Sequence, residues 1–236
     1  MHKRNVTAAV IFALVQSAFA ADAPQVILSV APPFATEITV KHYHKGQDLL
    51  HDPTFHLVTS APLTEYHGWF GPRNADQANN HWWKIDVFAR YSERVAAAFT
   101  SAKDGYQADL NIEPEFFGFN ERSYMFARFE HKRFKWGDAV SFLSQFTQDP
   151  TLFVPHNGHL TYEIWGLTPD RKFTVVAMLS VSHTKLGNWG SGVRVASSMD
   201  ALKRDKDYKR VEKCDPEEFD PSLTAFDRLL ETLVIR

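Results

Sequence analysis

The sequence predicts an α+β fold, an antiparallel β-sheet with helices near the C-terminus packed on it. Three observations predict it. Apolar residues alternate with period two through the middle of the chain. A proline–aspartate turn joins two such runs. Helical spacing gathers toward the end, and strands first with helices last is the order of an α+β chain.

The clearest element is a β-hairpin. Thr161 to Gly166 alternates, with Tyr162 and Ile164 on one side and Thr161, Glu163 and Trp165 on the other. Thr168-Pro169-Asp170-Arg171 follows as a turn, because proline pre-sets φ for the second position and Asp suits the third. Phe173 to Val181 is rich in β-branched residues, and its near-continuous apolar run predicts burial on both faces.

The remaining elements follow in chain order. His2-Lys3-Arg4, an apolar run from Val6 to Val15, and Ala18-Phe19-Ala20 ahead of Ala21 make a secretory signal peptide. The run is too short for a transmembrane helix. Residues 1–20 are expected to be removed, leaving 21–236 as one secreted domain. Val26 to Val30 reads as a short strand ended by Pro32-Pro33, and Thr36 to Tyr43 as a second. Phe55 to Thr59 is a short strand candidate. Ala61 to Asn80, with its glycines, prolines and asparagines, reads as a long loop. His81 to Ser92 alternates, with Trp83, Ile85, Val87 and Ala89 sharing a face. Val95 to Thr100 continues it or starts a helix. Lys103 to Gly105 is a turn, Tyr106 to Ile112 a weak strand, and Glu113 to Asn120 a loop. Ser123 to Phe134 reads as a strand. Asp138 to Gln148 fits helix and strand, and its β-branched and aromatic residues favour strand.

Near the C-terminus, Ser198 can cap a helix from Met199 to about Tyr208. Lys209 to Lys213 reads as a short strand. Asp220 caps a last helix with Pro221 at its first position. Leu223, Phe226, Leu230 and Leu233 form its apolar stripe, which should dock on the sheet.

WGDAVSFLSQFTQD followed by LTYEIWGLTPDRKFTVVAMLSVSH resembles a segment of secreted bacterial proteins of unknown function that share a Gly-Leu-Thr-x-Asp hairpin. The likeness covers about a quarter of the chain. It implies a secreted globular domain and transfers no functional residues. Arg171 stands where the pattern usually has a turn glycine.

Composition narrows the partners. The net charge is −2 and no basic field runs through the chain, so nucleic acid is not an expected partner. Cys214 is the only cysteine, which excludes an internal disulfide. Ala21, not a cysteine, stands directly after the cleavage site, so no lipid anchor is expected, and no later stretch is long enough to span a membrane. The only Asn-x-Ser/Thr sequence, Asn5-Val6-Thr7, lies in the signal peptide, which fits a bacterial periplasmic protein.

No catalytic motif stands out. His42, His44, His51 and His56 cluster, but without a third ligand at diagnostic spacing. Ser180 lacks elbow glycines, and Cys214 has no neighbouring histidine in sequence. The loop from Gly187 to Gly192 lacks the ending of a phosphate loop. No catalytic residue, metal or cofactor is therefore expected. The candidate ligand-binding residues are Trp69, Asn157, His159, Glu163, His183 and Trp189. Aromatics supply area and amides supply orientation, a mixture that suits recognition of a protein or glycan. The competing reading is a periplasmic hydrolase or metal-dependent enzyme using His159, Glu163 and His183. It requires those three to converge in one pocket.

Overall fold

A computed structural model describes residues 11–12, 25–30, 37–43, 63–70, 81–101, 122–123, 125–147, 151–188, 190 and 192–236. Its centre is an eight-stranded antiparallel sheet. Seven long strands build it: β1 (Glu37–Tyr43), β2 (Leu63–Phe70), β3 (His81–Phe88), β4 (Ala127–Phe134), β5 (Gly137–Thr147), β6 (Leu160–Leu167) and β7 (Thr174–Ser180). The spatial order is β1-β2-β3-β7-β6-β5. The outer edge of β5 takes β4 and then the short pair Arg122–Ser123. Val26–Ile27 pairs with Val234–Ile235, Ser182–His183 with Phe219–Asp220, and Ile11–Phe12 with Ser29–Val30.

The β6–β7 hairpin forms as its sequence predicts. The Arg171 N–H donates to the Thr168 carbonyl at 2.9 Å, and Asp170 Oδ1 accepts the Thr168 hydroxyl at 2.7 Å. Arg171 adopts φ = 57°, the left-handed region that glycine enters without a Cβ penalty. Asp138 to Thr147 resolves as part of strand β5, which is flanked on both edges by partners that consume its backbone groups.

The two faces of the sheet differ. One face presents Trp83, Ile85, Val175, Ala177, Leu179, Tyr162 and Ile164 to the main core. Three helices contribute to that core: α2 (Met199–Arg204), α3 (Lys206–Lys213) and α4 (Leu223–Leu230). Phe226 packs edge-on against Tyr162, and Asp227 accepts the Tyr162 hydroxyl at 3.0 Å and Lys132 Nζ at 3.1 Å. The other face carries Phe88, Val140, Phe142, Trp165, Val176 and Met178, covered in part by Val95 and Ala98 of α1 (Glu93–Ser101).

Several expectations are corrected. Ala61 to Asn80 is not all loop: Leu63–Phe70 is strand β2, held between β1 and β3. Thr64 and Tyr66 are buried along it, but a polar Thr64 and a glycine at 68 interrupt the apolar series on the face they share with Tyr66, which disguised the pattern. Lys209 to Lys213 is helical, not a strand, because Asp205 breaks the first helix and caps the second by accepting the Asp207 N–H at 2.7 Å. Ser222, not Asp220, caps α4; its Oγ accepts the Ala225 N–H at 3.2 Å, while Asp220 pairs with Ser182. Ser123 to Phe134 is interrupted, with Arg128 at φ = 57° inside a register shift. Val95 to Thr100 lies within α1. Phe55 to Thr59, Lys103 to Gly105, Tyr106 to Ile112 and Glu113 to Asn120 lie outside the described residues. So does the signal peptide, apart from Ile11–Phe12.

Candidate functional site

Strand register brings Trp69, Asn157, His159 and His183 toward one end of the sheet. Trp69 opposes Trp82, Thr161 opposes both Ser180 and Ser144, and the Trp82 N–H donates to Ser180 Oγ at 2.8 Å. These residues form one row across β2, β3, β7, β6 and β5. Trp69 thus lies on a strand and not in a loop, about 14 Å from Thr161 at three strand spacings. The segments 151–159 and 181–188 emerge at this same end.

Asn157 ties those two segments together. Its Oδ1 accepts the His183 N–H at 2.9 Å. Its Nδ2 donates to the carbonyls of His183 and Leu186 at 3.2 Å each, and to Asn188 Oδ1 at 3.3 Å. Backbone bonds from Asn157 N–H to Gly187 C=O and from Val154 N–H to Arg194 C=O extend the seam. His159 stands exposed beside it, its ring 5.5 Å from that of His156. His156 is buried, and its Nδ1–H donates to the Val154 carbonyl at 2.9 Å. Burial chiefly, with the neighbouring His159 assisting and the Val154 carbonyl opposing, lowers the His156 pKa.

The residues of the enzymatic reading do not share an environment. Glu163 is 0% exposed on the sheet face of Trp165 and Phe142. It accepts hydrogen bonds from Ser144 Oγ and from Trp165 Nε1, the latter at 2.9 Å. His183 is 1% exposed and packs edge-on against Phe219, which belongs to the opposite-face core. Two donors therefore hold the Glu163 carboxylate on one side of the sheet while His183 is held on the other.

The fold does assemble one constellation invisible in sequence. His183, Cys214 and Glu218 bring a ring nitrogen, a thiol and a carboxylate within 4.8 Å of one another. Such a set can bind zinc if the facing imidazole nitrogen offers a lone pair. Here the Lys185 N–H donates to His183 Nδ1 at 3.1 Å, so Nδ1 holds the lone pair and Nε2 the proton. Nε2–H then donates to Glu218 Oε2 at 3.2 Å. The imidazole is wired as a donor toward the cluster, whereas a zinc-ligating histidine donates from its other nitrogen. Burial, followed by the Arg128 and Glu218 charges acting in opposite senses, leaves the Cys214 thiol pKa raised, which disfavours the thiolate.

A small cleft opens between the two loop segments. It is lined by Val154, His156, Gly187, Asn188, Arg194 and Asp207 and holds about 40 Å³. That admits water or a single ion; drug-sized ligands need roughly 300–1,000 Å³. Arg194 closes one wall by binding Asp205 at 2.6 Å and Asp207 at 2.5 Å. Burial opposes ionisation of Asp205, but Arg194 and the Asp207 N–H outweigh it and hold its pKa low. His156, Arg194 and Asp207 were not legible as site residues, since no motif links 156 to 194–207. His42 bonds Thr64 Oγ1 at 3.2 Å through Nδ1, while His44, His51, His56 and Trp189 lie outside the described residues. No helix among the described residues is long and apolar enough to cross a membrane. Comparison of the chain with protein-family models, curated proteins and solved structures finds no match.

Proposed function

We propose that the protein is an exported, non-catalytic binding module that engages a protein or glycan at the end of the sheet carrying Trp69, Trp82, Asn157 and His159. The carrying observation is the Asn157 seam, which makes two otherwise separate loop segments into one fixed platform. Pre-ordered loops bind without a large ordering cost. The narrow cleft favours a ligand laid over the surface rather than one swallowed by a pocket. The separation of Glu163 from His183 weighs against the hydrolase reading. Export rests on the signal-peptide pattern of residues 1–20 and on the resemblance of the hairpin to secreted bacterial proteins.

The test is co-sedimentation with purified bacterial cell-wall sacculi and affinity capture from periplasmic extract. His159→Ala and Asn188→Ala, both at exposed positions, should weaken capture about tenfold, the loss of an anchor worth roughly 1.4 kcal/mol. Capture unchanged in both variants removes the platform from the binding site. A turnover of peptidoglycan or peptide substrates abolished by His159→Ala would return the enzyme reading.

A further inference from the structure

Helices α2 and α3 carry a local charge that the whole-chain balance conceals. We propose that their lysine-rich face is a peripheral attachment site for anionic lipid headgroups. In α3, Lys206, Lys209, Arg210 and Lys213 fall within an arc of about 100°, because successive helical residues turn by about 100°. Lys206 to Lys213 covers roughly 10 Å along the axis. Lys203 and Arg204 of α2 extend the basic surface across the Asp205 junction. Lys203, Arg204, Lys206, Lys209 and Lys213 are all exposed.

The nearby acids do not neutralise this face. Asp205 and Asp207 are bound by Arg194, and Asp207 also by Arg210. The charge of Lys206 acts on Asp205, but among the described residues no ion pair involves any of the five exposed cations. Glu212 lies off the stripe and accepts the Arg128 N–H at 2.6 Å. Asp200 stands at the start of α2. Beyond Cys214 the charge reverses, and there Glu218 faces His183 and Lys185 while Glu217 bonds Ser222 and Thr224. Lys206 with Arg210 and Lys209 with Lys213 are like charges four residues apart, an arrangement that destabilises a helix. A glutamate at either spacing would relieve it, so folding alone does not account for the stripe.

The side-chain type selects the partner. Four of the five exposed cations are lysines, compact hydrated charges on flexible stems, and protein interfaces are depleted in lysine and enriched in aromatics and arginine. The aromatic of α3, Tyr208, is buried and donates its hydroxyl to the Phe126 carbonyl at 2.7 Å. A diffuse anionic surface suits such a face better than a specific docking partner. Each cation near an anionic bilayer raises partitioning about fivefold, until salt screens it. This attachment is independent of the ligand proposed for the loop platform.

The experiment is co-sedimentation of the purified protein with phosphatidylcholine vesicles and with vesicles containing roughly one third phosphatidylglycerol. The protein should pellet with the anionic vesicles alone and be released as salt rises to about 0.5 M. Lys206→Glu/Lys209→Glu/Lys213→Glu should lower partitioning about a hundredfold or more. Lys203→Glu/Arg204→Glu should lower it independently, which guards against misfolding of the triple variant. Lys135→Glu/Lys172→Glu, at exposed sites elsewhere, should retain it. Equal pelleting with both vesicle types traces to an apolar segment and overturns the proposal, as does wild-type partitioning of both α2 and α3 variants. Binding to polyglutamate without binding to vesicles assigns the face to an acidic protein and overturns the lipid reading.

Discussion

Asn157 and His183 are joined by a reciprocal pair of hydrogen bonds. The Asn157 carboxamide accepts the His183 N–H at 2.9 Å and donates to the His183 carbonyl at 3.2 Å, as a neighbouring strand would. Asn157→Ala should therefore cost roughly 1–3 kcal/mol in urea denaturation, from backbone groups left unsatisfied. Asn157→Asp should not rescue it, because the amide nitrogen serves three oxygen acceptors that a carboxylate would repel. An aspartate variant as stable as wild type at pH 7 would refute this account of the seam.

Arg171 occupies a glycine conformation at φ = 57° in the hairpin turn. Arg171→Gly should leave stability unchanged or raise it by up to about 1 kcal/mol, the relieved Cβ strain being partly offset by greater freedom in the unfolded chain. Arg171→Val should cost about 1–2 kcal/mol. Denaturation midpoints that rank Val above Gly would show the turn relaxed in solution.

His156 and His81 both have lowered pKa values, in each case chiefly through burial. The folded state then binds fewer protons than the unfolded state below the ordinary histidine pKa of about 6.5. Stability from these groups is complete above that value and is lost as pH falls toward each folded-state pKa. Unfolding free energy should decline between pH 7.5 and 5, by at most about 1.4 kcal/mol per pH unit for each histidine. His156→Gln should flatten the profile. A slope unaltered by His156→Gln, in an otherwise folded variant, assigns the acid sensitivity elsewhere.

His183 should carry a ring proton on Nε2, facing Glu218, with Nδ1 as the acceptor of the Lys185 N–H. Nitrogen-correlated NMR reads this tautomer directly. Zinc added at equimolar concentration should leave the His183 signals in place. Stoichiometric zinc binding lost in His183→Ala and Cys214→Ala would show that the turn at Lys185 gives way and that the cluster is a metal centre.

Phe226 is 0% exposed in the layer between α4 and the sheet. Phe226→Ala should cost about 3–5 kcal/mol. A cost near zero would mean that α4 does not dock.

The sequence by itself determined the fold class, the β6–β7 hairpin and the α4 apolar stripe. Each is written within a few consecutive residues, where a period of two or 3.6 sorts side chains by face. Tyr162 and Ile164 could be separated from Glu163 and Trp165 on that basis alone, and the two cores do separate them. Strand β2 was hidden because its ladder bonds come from β1 and β3, and its own polar residues broke the alternation. The meeting of Asn157 with His183, of His183 with Cys214 and Glu218, and of Arg194 with Asp205 and Asp207 was decided only by tertiary structure. These partners lie tens of residues apart or in different elements. Register and helix docking, driven by burial of the apolar faces, fix which polar groups end as neighbours, and no local periodicity encodes that choice.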